Sequence, residues 1–221
     1  MWLLRLPGVY APQHDTRLLV ESLWRESVSD YASVLDICTG TGAIAVAAAR
    51  GGAKNVTAVD ISRRAVWTAR ANAFFCRLPL EVRRGHLLDP VLDERFSLVL
   101  ANPPYVPTRT VRSWTDGRRQ QSSPRWDAGP DGRAVLDPLC AMVPRVLTPS
   151  GILLLVQSAL CGVDRTIRQL REAGLHARVR DRLKVPFGPV MSRRARWLEQ
   201  QGYIRQGQRD DELVVIRASR E

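Results

Sequence analysis

The 221 residues suit one generous domain with a comfortable core, and no apolar run reaches the ~18 residues of a membrane-spanning helix. The opening Met1-Trp2-Leu3-Leu4-Arg5-Leu6-Pro7 is too short for the apolar region of a secretory signal, so a cytoplasmic location is expected, with no membrane partner. Four scattered cysteines (Cys38, Cys76, Cys140, Cys161) and three scattered histidines (His14, His86, His176) argue against a metal site or a disulfide frame.

The formal charge of +11 invites an acidic or RNA-rich partner. Lysine occurs only at Lys54 and Lys184, however, and the arginines are spread along the chain, a pattern that a solvated surface explains equally well.

Residues 7–15 are rich in turn formers. Leu18, Leu19, Leu23 and Trp24 then recur at helical spacing and predict a helix over 16–26, capped by Asp15 or Thr16. A β-branched run over 33–38 leads straight into Thr39-Gly40-Thr41-Gly42 and the alanine-rich 43–50, which reads as strand, glycine turn, helix. A second strand over 55–59 ends at Asp60, and Ser62 caps a helix to about Phe75. Residues 80–83 make a third strand with 85–89 as its exit loop, and 96–101 a fourth.

Residues 106–130 break this rhythm, and a loop that long in a compact domain is functional or mobile. Arg109, Arg112, Arg118, Arg119 and Arg125 around Trp114 make it a candidate substrate-facing lid, with a plain basic loop as the alternative. Helical spacing returns over 131–147, kinked near Pro144. The most apolar run, 151–157, predicts a central strand, and 163–173 a helix stopped by Gly174. Strands over 176–185 and 212–218 follow, with a short helix near 192–201 between them. This alternation predicts an α/β fold: a doubly wound, seven-stranded, mostly parallel sheet with an antiparallel last strand. The expected organisation is a single domain over 1–221, with 1–30 as an N-terminal segment and helix.

Three features carry chemistry. Glycines in the 36–42 turn let backbone approach a ligand, although a tight packing turn would use them too. Asp60, 18 residues beyond Gly42, sits where a carboxylate meets a ribose's paired hydroxyls, or else caps the next helix. The G-x-G-x-x-G pattern is incomplete, with Cys38 in the first glycine position, which favours a nucleoside-bearing cofactor without a pyrophosphate. Finally, the fourth strand ends in Asn102-Pro103-Pro104-Tyr105. The Asn102 side-chain oxygen and the Pro103 carbonyl can each accept a hydrogen bond, and Tyr105 can cover what lies between them. That suits a planar nitrogen with two protons to donate.

This combination resembles the class I S-adenosylmethionine-dependent methyltransferases that act on planar nitrogens. The stretches Pro7-Gly8-Val9-Tyr10-Ala11-Pro12-Gln13-His14-Asp15-Thr16 and Trp126-Asp127-Ala128-Gly129-Pro130-Asp131-Gly132 are similar to those of HemK-type release-factor glutamine methyltransferases. The likeness runs from about Pro7 to Ala218, and without the helical N-terminal domain of the usual bacterial enzyme it is nearer the short, single-domain branch. It implies a Rossmann-like fold and a chain that transfers a methyl group to the glutamine of a release factor's Gly-Gly-Gln loop. Asp36, Thr39, Gly40 and Gly42 would line the cofactor's methionine end, with Thr16 closing over it. Asp60 would hold the ribose, Ile61 would pack on the adenine, and Leu87 and Leu88 would form the adenine pocket. Asn102, Pro103 and Tyr105 would hold the substrate nitrogen, with Asn102 also meeting the cofactor. A small zinc-containing activator subunit is a partner of that branch.

The chain departs from the family at Cys38, where glycine is frequent and a negative φ would make cysteine tolerable, and at His86, where an aspartate usually faces the adenine amine. Methylation of a nucleic-acid adenine or guanine amine, methylation of a protein lysine, and a catalytically silent RNA-binding relative are the alternative readings.

Overall fold

The computed structural model describes residues 3–109 and 128–220. The strands are β1 (Ser33–Ile37), β2 (Asn55–Asp60), β3 (Leu80–Arg84), β4 (Phe96–Ala101), β5 (Leu147–Ser158), β6 (His176–Pro186) and β7 (Asp210–Ser219). The helices are α1 (His14–Trp24), α2 (Ala43–Arg50), α3 (Arg63–Phe75), α4 (Leu136–Met142), α5 (Val163–Glu172) and α6 (Pro189–Gln200).

One sheet of seven strands runs in the order β3-β2-β1-β4-β5-β7-β6. β1 pairs in parallel with β2 and β4, as do β2 with β3 and β4 with β5. β7 is antiparallel to both of its neighbours, slotted between β5 and β6. The antiparallel last strand is therefore as expected, but it lies inside the sheet and leaves β6 at the edge.

The central strands are buried on both faces. Leu98, Leu100, Val34 and Val56 meet α1, α2 and α3 through Leu18, Leu19, Ile44 and Val66. Leu35, Ile37, Val99 and Leu153 meet α4 and α5 through Leu136, Leu139 and Leu170. Strands covered on both faces read as continuous apolar runs, which is why β4 and β5 were plain in the sequence. Among the described residues no helix is long and apolar enough to cross a membrane.

Three helices differ from expectation, α6 by starting at Pro189 instead of near 192. α1 starts at His14, two residues earlier than predicted, with Gln13 in the cap position and no side-chain cap bond. The expected caps, Asp15 and Thr16, lie inside the first turn with their side chains engaged elsewhere. The helix expected over 131–147 is only Leu136–Met142, followed by a 3-10 turn at Val143–Arg145. Residues 131–135 are bent through Gly132, whose φ of +77° no α-helix accepts. Most of the expected 106–130 loop, with Trp114, Arg112, Arg118, Arg119, Arg125 and Trp126, lies outside the described residues.

The chain winds from β1 outward to β2 and β3, then returns to β4 on the opposite side. The carboxyl ends of β1 and β4 therefore flank a crevice, the place where ligands bind in open α/β sheets.

Candidate active site

One wall of that crevice is backbone. Beyond β1 the chain takes left-handed conformations at Cys38 (φ 59°), Gly40 (φ 56°) and Gly42 (φ 80°). The expectation of a negative φ at Cys38 is thus overturned, and the residue sits where glycine is at ease. The two glycines have different reasons. A Cβ on Gly42 would lie 3.1 Å from the Ala69 Cβ on α3, so its absence lets two helices meet. A Cβ on Gly40 would approach only the Cys38 carbonyl, at 4.0 Å, and Gly40 faces the cavity.

Asp36 lies wholly buried behind this turn. Its Oδ2 accepts the Thr39 hydroxyl at 2.5 Å and the Ala45 amide at 3.1 Å, pinning the turn to the start of α2. Burial pushes its pKa up to about 7 against those two bonds, and its Oδ1 has no hydrogen-bond partner among the described residues. Asn72 on α3 donates to the Thr41 carbonyl at 2.8 Å and exchanges bonds with the backbone of Leu4, which ties the N-terminal segment to the same turn.

Asp60, at the end of β2, accepts from the Gly40 amide at 2.9 Å through Oδ2 and from the Ser62 amide at 2.8 Å through Oδ1. The cap of α3 is Ser62 itself, whose hydroxyl accepts from the Ala65 amide at 3.2 Å. Asp60 is thereby held rigid at the mouth of the turn. Ile61, His86 and Leu87 continue this wall, Leu87 again in a left-handed conformation at φ 47°. The Nδ1 of His86 lies 3.7 Å from the Asp89 carboxylate.

The opposite wall is built from side chains. Asp15, 3% exposed, is its hub. The hydroxyls of Tyr10 and Tyr105 both donate to Asp15 Oδ2, at 2.8 and 3.0 Å, while Oδ1 accepts from the Thr16 amide at 2.6 Å and the Thr16 hydroxyl at 3.2 Å. Burial, with the Asp15 charge added, drives both tyrosine pKa values far up, so both hydroxyls remain donors.

The chain of bonds continues to Asn102, whose Nδ2 donates to Thr16 Oγ1 at 3.4 Å. Because the Thr16 proton is directed at Asp15, its oxygen can only accept from Asn102, so the amino side of the amide must face Thr16. The Asn102 oxygen is left for the cavity. The neighbouring Pro103 carbonyl enters no hydrogen bond among the described residues. Tyr105, anchored by its hydroxyl, packs against both faces of the core.

Glycine buttresses Tyr105 from behind. A Cβ on Gly132 would fall 2.3 Å from the Tyr105 carbonyl oxygen and 2.8 Å from the Cys161 sulfur, so only glycine fits. Gly129 turns in the left-handed region too, and its carbonyl accepts the Thr108 amide at 2.9 Å. Arg133, 2% exposed, donates to the Thr166 hydroxyl at 2.9 Å and to Gln169 at 2.7 Å, and pairs with Asp137 at 2.7 Å.

The two walls enclose a cavity of about 190 Å³. Thr16, Thr39, Gly40, Asp60, Ile61, Leu87, Asn102, Pro103 and Tyr105, all expected at the site, line it together. Asp36, Gly42 and Leu88 do not: Asp36 and Gly42 shape the turn from behind, and Leu88 is core. Sequence reasoning missed Asp15 as a hub, along with Tyr10, Asn72 and Arg133. The pairing of Tyr10 with Asp15, five residues on, was the available signal for the hub.

A model of the family Methyltransferase small domain matches residues 1–115. A Methanocaldococcus jannaschii protein named "Putative protein N5-glutamine methyltransferase" is 35% identical over 84% of this chain and 90% of its own length. The release factor glutamine methyltransferase of Geobacter sulfurreducens is 34% identical over 67% of this chain and 52% of its own, and that of Deinococcus radiodurans 37% identical over 73% and 58%. This chain spans little more than half the length of those bacterial relatives. Among solved structures, the E. cuniculi Mtq2-Trm112 complex, responsible for methylation of the termination factor eRF1, superposes with a TM-score of 0.66. At 21% identity over 97% of this chain and 99% of the other, that match shows the fold. The crevice, its two walls and these relatives lead to one assignment: the chain belongs to the methyltransferase small-domain family and is an S-adenosylmethionine-dependent N-methyltransferase.

Proposed function

We propose that the enzyme methylates a glutamine side-chain amide in a protein, the Gly-Gly-Gln loop of a peptide chain release factor being its target. The observation that carries this reading is the orientation of Asn102, whose amino side is turned to Thr16 so that its oxygen is left for the cavity that Pro103 and Tyr105 also line. An amide –NH2 offers two coplanar protons, and two acceptors side by side suit it. Accepting both protons raises electron density at a nitrogen whose lone pair is otherwise delocalised, and acceptors already in place need little reorganisation in the transition state. Tyr105 covers the planar group and restricts its approach. The proton lost after transfer needs no dedicated base.

The cofactor supplies an electrophilic methyl group on a sulfonium. The open face of Gly40 and the carboxylate of Asp60 beside apolar Ile61 and Leu87 fit it. Asp60 would hold the ribose hydroxyls, Ile61 and Leu87 would flank the adenine, and Thr39, Gly40 and Thr16 would enclose the methionine end. Asp36 and Gly42 contribute by holding the turn in shape.

A small activator subunit fits the same picture. Trp67, Phe74 and Phe75 on α3 are 67, 78 and 71% exposed, and α3 packs beside β3, the open edge of the sheet. Apolar surface of that kind beside an open strand edge marks an interaction site.

Labelled methyl transfer from S-adenosylmethionine tests the reading, with and without the activator. Label should enter the release factor and be lost when the glutamine of its Gly-Gly-Gln loop is replaced. Label entering tRNA or DNA instead, or a lysine of the factor, would replace this reading with a nucleic-acid or lysine methyltransferase.

A further inference from the structure

β7 opens with three consecutive acids, and strand alternation separates them. Asp210 pairs with Lys184 and Glu212 with Arg182 on the neighbouring β6, each at 2.5 Å. Asp211 points the other way, is 6% exposed, and lies on the cavity wall. Its Oδ1 accepts the Ser158 hydroxyl at 2.7 Å. Among the described residues no cation pairs with it. A buried carboxylate with room for roughly four donors thus has one, the Ser158 hydroxyl.

Its place in the cavity says what the unfilled capacity is for. Asp211 is remote from Asp60 and the glycine turn. It belongs to the end lined by Tyr105, Val106, Val185, Pro186, Met191 and Leu213, and it lies close enough to raise the Tyr105 pKa. Val106, Val185, Pro186, Met191 and Leu213 make its surroundings largely apolar, and a buried carboxylate there is costly unless a ligand supplies donors. A group of this kind accepts hydrogen bonds and gives none. A polypeptide threading toward Asn102 carries one N–H per residue, whereas a nucleic-acid backbone brings anionic phosphates.

We propose that Asp211 is a substrate-docking residue, accepting a hydrogen bond from a main-chain N–H of the polypeptide that flanks the target side chain. The inference rests on the protein-glutamine reading above. Ser158 aims the carboxylate, and the Arg133–Thr166–Gln157 bonds hold the end of β5 from which Ser158 projects.

The test is steady-state methylation of the release factor by the wild type, Asp211→Asn and Ser158→Ala, with cofactor affinity measured by calorimetry. In Asp211→Asn the amide oxygen can keep the Ser158 bond while its –NH2 meets the substrate's own donor. KM for the factor should rise at least about tenfold, with kcat and cofactor affinity within about twofold. Ser158→Ala keeps the charge and should raise KM by about threefold. Unchanged cofactor affinity shows that the variant is folded, and an unchanged KM in a folded Asp211→Asn overturns the docking role alone. A wild type that methylates a nucleic acid and not the factor overturns the protein-glutamine reading, and the docking role with it.

Discussion

The two walls of the cavity are made of different materials. The wall formed by the 36–42 turn, Asp60 and Leu87 is shaped by backbone conformation, with three left-handed residues facing it. The wall formed by Asp15, Thr16, Asn102 and Tyr105 is a relay of side-chain hydrogen bonds between segments 86 to 90 residues apart. Backbone walls set which molecule fits. Side-chain relays set which atom points where, and on that basis they can be broken separately.

The largest effect belongs to the relay. Asn102→Ala removes one of the two acceptors proposed for the substrate nitrogen and should lower kcat by about a thousandfold, the upper range for removal of one preorganised partner. Cofactor affinity, measured by calorimetry, should move less than about twofold, because the opposite wall is untouched. Equal losses in both would mean that the walls are one unit.

The backbone wall answers to pH. Asp36 has a pKa near 7 in the folded protein, well above its ordinary value of 3.8. Between those values the native state binds more protons than the unfolded chain, so unfolding free energy falls as pH rises. The Asp36 contribution is present in full below about pH 4 and is lost as pH passes 7. The span is at most about 4 kcal/mol. Thermal unfolding from pH 4 to 8 should show a fall in stability that is shallower in Asp36→Asn, and matching slopes would remove Asp36 as its source.

Returning to the relay, Asp15→Asn replaces an acceptor of four bonds by a group that must donate to one side. The Thr16 hydroxyl loses its fixed direction, and Asn102 becomes free to turn its amino side to the substrate. We expect kcat to fall about a hundredfold, with some 2–3 kcal/mol of stability lost for bonds to a buried charge. Tyr105→Phe separates the two consequences. It removes one donor but leaves the Asp15–Thr16–Asn102 chain intact, so its kcat should stay within about tenfold of wild type. An Asp15→Asn enzyme with normal kcat and merely lowered stability would show a structural role only.

The contrast between the walls also explains what could be read from the chain. Apolar runs covered on both faces and a glycine turn between strand and helix are local patterns, so β1, β2, β4, β5 and the turn were legible. Asn102-Pro103-Pro104-Tyr105 was legible because prolines at a strand end have little structural excuse. Asp15 was not. Its type suggests a helix cap, while in the fold it lies inside the first turn of α1 and gives its oxygens to two tyrosines and Thr16. Arg133 follows an Asp-Gly pair as a surface arginine would, yet it is buried against α5. Asp211 hides in an acidic triplet whose outer members are ordinary surface ion pairs. In each case the function comes from partners far away in sequence, and no local pattern encodes them.

The smallest expected effect falls on the one site where sequence reasoning set a condition and the fold breaks it. Cys38 adopts φ 59° although it carries a Cβ, which costs about 1–2 kcal/mol relative to an unstrained residue. Its side chain packs against the α4–α5 face of the core and recovers part of that cost. Cys38→Gly should therefore stabilise the protein by only about 1 kcal/mol, a shift of 2–4 °C in a chain of this size. Because Cys38 also faces the cavity, the variant tests what the backbone wall is made of. If conformation alone shapes that wall, cofactor affinity stays the same or improves slightly. If affinity drops while stability rises, the cysteine side chain is itself a contact surface, and the division between a backbone wall and a side-chain wall does not hold at that point.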